Sequence, residues 1–517
     1  MAPSTISEKI TLTYPLYCAD FIDIDRLVVA GGGGEGRSGV GNKITLLDVS
    51  KTTPPSQNST NIQQLAEHVL SRDEDSCMSL AIVRPTTKSK KAATKPKLIG
   101  GVNSSEKQQL EGKNEHYRVF ELSNSEIEPV SRLSFFDSAN RTDVYQRVLR
   151  ARGGLAAIAS GASGKTGFEV KAISTENNQL RWGATIESEA ADLDVLDDEH
   201  LVYCTDKEIF TVTVSDAKQT KLKLNFPVAG KLRSIRYLTS ERILAVVNAP
   251  ARTGSELVLL DVATGTAVTR RKLHTGISAV TSLDVVTLSP HSGAAAVAGA
   301  DQTIELLVVT NDRINTAQIF RNVHPFQITK VAFSPAPSPP PAPSADVEEK
   351  EEEEAHVVRL ASTSIGNTCV VHTLPLIPTK DGYTLLAART ASQTVLTVLL
   401  SLITVVVLAV VLQVVFVTRG GLNISELVPH MHMDHIHERP WVKSLEANVD
   451  ALIAGLKSGA ATNPFGENVN EDELREELMA AVKKAAEKVE QVEETVDETV
   501  KKVEHKVQEN IEEKSEL

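Results

Sequence analysis

Cysteine is scarce and unevenly placed: Cys18, Cys77, Cys204 and Cys369 are the four in 517 residues, and none comes after Cys369. That excludes the disulfide framework of a small secreted scaffold, and a reducing compartment is expected to leave all four as thiols. An early apolar stretch of signal-peptide length is missing from Met1–Tyr17, so nothing there sends the residues after it across a membrane. A basic excess is missing too, because the formal net charge is −13. From Glu471 to Leu517 there are 16 acidic and 8 basic residues, which leaves −5 for residues 1–470. A mildly acidic surface excludes a general nucleic-acid binder, whose footprint is basic. The one basic cluster, Arg84–Lys97, holds six Lys/Arg and no acid in a Thr/Ala-rich stretch, and reads as an excursion between strands.

Long amphipathic helices are absent from residues 10–376. Short β-type runs take their place, among them Arg26–Ala30, Lys43–Val49, Tyr117–Leu122, Leu155–Ser160, Phe168–Ile173, Ile243–Val247, Ile304–Val309 and Cys369–Leu374, separated by polar turns. They group into blocks near 12–68, 75–133, 144–186, 189–229, 231–275, 278–320 and 326–376, each with room for four strands. This predicts an all-β, seven-bladed, WD-repeat-like β-propeller, with a pair of β-sandwiches as the alternative. The last block keeps the WD cadence in His324-Pro325-Phe326, Ile328–Pro335 and Leu360-Ala361-Ser362, although neither tryptophan of the chain precedes an aspartate. A Pro/Glu-rich insertion at 335–355 is predicted to be a disordered loop, since its composition buries too little apolar surface to offset ordering entropy.

The chain beyond residue 376 differs in kind. After a linker at 377–394, Val395–Val417 runs 23 residues without a charged side chain, long enough to cross the roughly 30 Å hydrocarbon layer as one helix. The last residues, Lys514-Ser515-Glu516-Leu517, look like an endoplasmic reticulum retrieval tag, with Ser515 where such tags usually have Asp. The expectation is a single-pass protein of the endoplasmic reticulum membrane with a cytosolic propeller and a lumenal region at 418–517. Of the sequons, those at Asn58, Asn103 and Asn140 should then be unmodified, and only that at Asn423 would be lumenal. His430, His432, His435 and His437 read as a solvated linker, with no metal assigned. Leu474–Ile511 carries a narrow Val/Ala stripe on a highly charged helix, within a helical span expected at 471–513.

The segment that carries chemistry is Leu27–Ile44. A strand leads into a loop with seven glycines between Gly31 and Gly41, and a second strand comes after it. Glycines let a backbone aim its carbonyls or amides at one point. Converging carbonyls with Glu35 or the Asn42 side chain suit a weakly hydrated cation, and converging amides suit an anion. A plain flexible hairpin is the other reading of the same residues. Ala159–Thr166 matches a loose Walker A spacing, but Gly167–Ile173 alternates as a strand, so the helix that a phosphate loop must open is lacking and an NTPase is rejected. No constellation for covalent catalysis stands out.

Tyr14-Pro15-Leu16-Tyr17, the Gly31–Gly34 to Gly39-Val40-x-Asn42 pattern, Asp75–Leu80, Gly101-Val102-Asn103, Tyr145-Gln146 and the His324 block with one span after it resemble the Sec-twelve family, whose animal relative is the prolactin regulatory element-binding protein. The resemblance covers roughly residues 10–420. It implies a guanine nucleotide exchange factor that promotes GDP release from a Sar-type small GTPase, without covalent chemistry, and so starts COPII coat assembly for transport from the endoplasmic reticulum to the Golgi. It further implies a potassium ion held by Gly34, Glu35, Gly36, Ser38, Gly39 and Asn42, with Gly39, Val40, Gly41 and Asn42 as the element that enters the GTPase and Val40 as its apolar tip. The rival is a membrane-tethered propeller that binds coat or cargo proteins without exchange activity.

Overall fold

The computed structural model describes residues 5–36, 39–51, 61–84, 95–137, 141–162, 167–338 and 356–385. Among them are seven four-stranded antiparallel sheets. Blade 1 is Leu16–Phe21, Arg26–Gly31, Lys43–Asp48 and Gln63–Val69; blade 2 is Ser79–Val83, Lys97–Gly101, Tyr117–Leu122 and Ile127–Leu133. Blade 3 spans Val144–Ile186, blade 4 Asp192–Lys221, blade 5 Lys231–Lys272 and blade 6 Val280–Phe320, each strand pairing with the next in sequence. Blade 7 takes Ile328–Phe333, Val357–Ser364 and Thr368–Pro375, and its outer strand is Ile6–Thr11 from the other end of the chain. The last block therefore holds three strands instead of four. A ring has to be closed, and joining the first and last segments in one sheet clasps it.

The core is distributed. Seven apolar clusters are present, one between each pair of neighbouring blades, including Cys18, Val28 and Ile44 of blade 1 against Leu80, Ile82 and Leu98 of blade 2, and Tyr14, Leu16 and Phe21 against Ala332, Ala361 and Val371 of blade 7. Middle strands such as Arg242–Asn248 and Ser292–Gly299 are buried on both faces, which is why they read as continuous apolar runs. Inner strands present backbone N–H groups that no fifth strand pairs. Carboxylates of the preceding blade satisfy several of them: Asp20 accepts from Ile82, Asp194 from Tyr237 and Asp284 from Phe333, each at 2.8 Å.

Strand direction alternates, so links between second and third strands lie at the same end of the ring as links between blades. The glycine-rich loop is the second-to-third link of blade 1 and shares its end with 70–78 and 102–116. Arg84 and Ser334, which follow the inner strands of blades 2 and 7, lie at the other end. There the chain also makes a hairpin, Ile377–Thr379 with Gly382–Thr384, whose Tyr383 and Leu385 pack with Leu288. The segment read as a linker from residue 377 thus begins as part of the propeller. The run 395–417, the His cluster, the charged helix and the retrieval-like ending lie outside the described residues; among these no helix is long and apolar enough to cross a membrane.

Candidate functional site: a glycine loop tied to the second blade

Strand Arg26–Gly31 ends beside the Pro15 carbonyl, so close that a Cβ on Gly31 would lie 2.0 Å from that oxygen. The Gly32 N–H then donates to the same carbonyl at 3.0 Å. Gly32, Gly34 and Gly39 take φ values of +145°, +76° and +76°, a region that residues with a Cβ rarely adopt. Glycine is required at these turns for conformation, before any ligand is considered.

Asn42 closes the loop. It is 1% exposed; its Oδ1 accepts the Gly34 N–H at 2.9 Å, and its Nδ2 donates to the Gly34 carbonyl at 3.2 Å and the Glu74 carbonyl at 2.8 Å. Its own carbonyl accepts the Leu70 N–H at 2.8 Å. One side chain thereby joins the start of the loop, its end and the link into blade 2. Further out, the Glu35 carboxylate accepts the backbone N–H of Glu106 at 2.8 Å, at the first turn of the short helix Glu106–Leu110.

Behind these contacts stands a buried ion pair. Glu74 Oε1 accepts from Arg118 at 2.8 Å and from Arg132 at 2.9 Å, while Oε2 is buried without a hydrogen-bond partner in the structure. Burial pulls the Arg118 guanidinium below its ordinary pKa, and the Glu74 charge opposes that shift. Asp75, half-buried, places Oδ1 3.2 Å from where a Cβ on Gly34 would be, and accepts the Ser76 N–H at 2.7 Å. Burial, with the Asp75 charge second, raises the Tyr17 hydroxyl pKa.

Gly34, Glu35, Gly36, Gly39, Val40, Gly41 and Asn42 therefore share one loop, and Ser38 lies outside the described residues. Gly34 and Asn42 meet directly, whereas Glu35 is drawn toward the helix. Gly39 is exposed with open space where a Cβ would be. Val40 is half-buried against the cluster of Leu12, Tyr14 and Leu16, so part of its side chain seats the loop. Sequence reasoning assigned no role to Glu74, Asp75 or Glu106; the run Asp75–Leu80 stands out there only as part of a family pattern. Asn42 Oδ1, the Gly34 carbonyl and Asp75 Oδ1 lie about Gly34, oxygen donors of the type a hard cation takes, whereas the Glu35 carboxylate is engaged by the Glu106 N–H. Among the described residues no group of three or more His, Cys, Asp or Glu forms a metal cluster. The Walker-like residues Ser163–Thr166 lie outside the described residues; the segment after them, Phe168–Ser174, is a strand paired with Leu155–Ala162 and not a helix.

No family model matches the chain. It is 26% identical over 327 residues to the guanine nucleotide-exchange factor SEC12 of Candida glabrata, covering 62% of this chain and 66% of that protein. It is 27% identical over 367 residues to the putative guanine nucleotide-exchange factor SED4 of Saccharomyces cerevisiae, covering 69% of this chain and 30% of that protein. Both alignments thus span less than two thirds of the relative's length. Among solved structures, the WD40 domain of Toxoplasma gondii coronin superposes with a TM-score of 0.46 at 11% identity, covering 74% of this chain and 88% of that one.

Proposed function

The chain belongs to the SEC12 family of guanine nucleotide-exchange factors, and on that premise we propose that it releases GDP from a Sar-type small GTPase at the endoplasmic reticulum membrane and so initiates COPII coat assembly. The observation that carries the reading is the double hold of Asn42 on Gly34, extended to the Glu74 carbonyl. A glycine loop without such a hold samples many shapes and loses entropy on binding. One already fixed presents its surface to the partner at lower cost. The loop catalyses by differential binding: it fits the nucleotide-free GTPase better than the GDP-bound one, which lowers the barrier to GDP loss while no covalent bond forms.

Potassium enters the proposal through Gly34, Glu35, Gly36, Ser38, Gly39 and Asn42, with Asp75 beside Gly34 as a further oxygen donor in the same proposal. When bound, the ion supplies positive charge that holds loop carbonyls at one point. Of Gly39, Val40, Gly41 and Asn42, the first three form the descending limb offered to the GTPase and the buried Asn42 anchors it. Tyr383 and Leu385 pack at the end of the ring opposite the loop.

The test is release of fluorescent GDP from a Sar-type GTPase by the full chain. Acceleration that is stronger in potassium than in sodium is expected, and a release rate equal to that of the GTPase alone in both salts would overturn the proposal.

A further inference from the structure

Nine large apolar side chains are exposed among the described residues: Val69, Met78, Leu110, Val130, Leu180, Val268, Phe326, Ile365 and Ile377. Their placement is not even. Leu180 and Val268 begin outer strands at the end away from the glycine loop, Ile377 belongs to the hairpin at that same far end, and Val130 lies within an outer strand. The remaining five all sit at the end that carries the glycine loop. Phe326 precedes the inner strand of blade 7 and Ile365 comes just after its second strand; Val69 ends the outer strand of blade 1 opposite Lys43; Met78 precedes the inner strand of blade 2, and Leu110 ends its short helix. Among the described residues, blades 3 to 6 expose none at this end.

These five are joined through the loop by a chain of contacts, Val69 by way of its neighbour Leu70, whose N–H the Asn42 carbonyl accepts. A Cβ on Gly366 would lie 2.7 Å from the Phe326 ring, which seats that ring against the Ile365-Gly366 turn. The next residue, Asn367, accepts the Leu12 N–H through its carbonyl at 2.8 Å, and the segment that Leu12 opens ends at Pro15, which accepts the Gly32 N–H. On the other side Asn42 bonds to Glu74, Ser76 Oγ donates to the Met78 sulfur at 3.4 Å, and Glu35 bonds to the helix that carries Leu110. An apolar arc thus runs across blades 7, 1 and 2 with the glycine loop in its middle.

We propose that Phe326, Ile365, Val69, Met78 and Leu110 form an apolar rim that docks the same small GTPase on both sides of the loop; this rests on the exchange activity proposed for the chain and extends it to the partner's footprint. Continuity with the loop selects the occupant, because a protein engaging Gly39–Asn42 covers both flanks at once. Apolar groups left in water by the free chain gain by that burial. The rim contributes to ground-state and transition-state complexes alike, so its loss weakens encounter without slowing the bound complex.

The experiment uses the full chain and a Sar-type GTPase in two assays: fluorescent-GDP release at increasing GTPase concentration, and direct binding of the nucleotide-free GTPase. Phe326→Ser, Ile365→Ser and Leu110→Ser are each expected to raise KM and the dissociation constant roughly tenfold with kcat unchanged, the size expected for one partly buried apolar side chain. Leu180→Ser and Val268→Ser should match the parent in both assays. If the parent chain exchanges nucleotide and the three rim variants equal it, the rim is wrong and the exchange reading stands. If the parent binds, the rim variants lose binding, and no exchange occurs, the rim stands and the exchange reading falls. A parent chain that neither binds nor exchanges overturns both.

Discussion

Asn42 grips Gly34 by both of its backbone polar groups, taking the N–H on Oδ1 at 2.9 Å and giving Nδ2 to the carbonyl at 3.2 Å. An amide carries an acceptor and a donor side by side without a charge. Asn42→Asp keeps the shape and the acceptor but removes the donor, turning a carboxylate toward the Gly34 and Glu74 carbonyls. It should cost about 1–3 kcal/mol of stability, the range for a buried polar group left without its partner. GDP release should fall by at least about tenfold. Denaturant midpoints alongside release rates check both, and an unchanged release rate would sever the hold from the activity.

Two glycines of the loop separate steric need from conformational need. At Gly32 a Cβ would stand 2.2 Å from Asn42 Oδ1 and 2.5 Å from Asn42 Cα, with φ at +145°. At Gly39 φ is +76° and nothing lies within 4 Å. Gly32→Ala should therefore break the Asn42 hold and lower the melting temperature by several degrees. Gly39→Ala carries only the left-handed backbone cost of about 1–2 kcal/mol. Equal shifts for the two would mean that Asn42 yields to the new methyl group.

The seven-fold blade count was legible because each blade is local: four short runs, close in sequence, with turns between. The fourth strand of blade 7 was not, since Ile6 pairs with Thr373 and no local signal ties segments so far apart. The glycine loop announced itself by composition. Its support did not, because Glu74 reads as one acid in a polar turn and only the fold buries it against Arg118. The helix Glu106–Leu110 is too short for a helical period to show, so nothing in the sequence pointed Glu35 toward it.

The Glu74 pair gives an asymmetric prediction. The side chain of Arg118 is 3% exposed and that of Arg132 is 52% exposed, yet both bind the same carboxylate oxygen. Glu74→Ala leaves Arg118 buried without its counter-charge and should destabilise by about 3–5 kcal/mol. Arg132→Ala removes a largely solvated partner and should cost under about 1 kcal/mol. In the Glu74→Ala, Arg118→Ala double variant the loss should be smaller than the two single losses added, because the stranded charge is gone. Chemical denaturation of the four proteins measures this, and strict additivity would show that the pair is not coupled.

Three buried histidines set the response to acid. His116 is held below its ordinary pKa of 6.5, at about 4, chiefly by burial; His324 is likewise at about 4 and His372 at about 3. The His116 ring must be neutral, since Nε2 accepts the Phe135 and Phe136 N–H groups while Nδ1 faces Gln146 Oε1 at 2.9 Å. His324 bridges Thr368 and Ser362, and His372 meets the Ser7 hydroxyl on the closing strand. Below pH 6.5 the unfolded chain takes up protons that these folded sites refuse, so stability falls as pH drops from about 6.5 toward 4. Each histidine contributes up to about 1.4 kcal/mol per pH unit in that window. Urea midpoints should fall clearly between pH 7 and pH 5, and replacing His116 with Gln, which stays neutral, should reduce the fall by about a third. A His116→Gln chain with the full acid dependence of the parent would remove this histidine from the account.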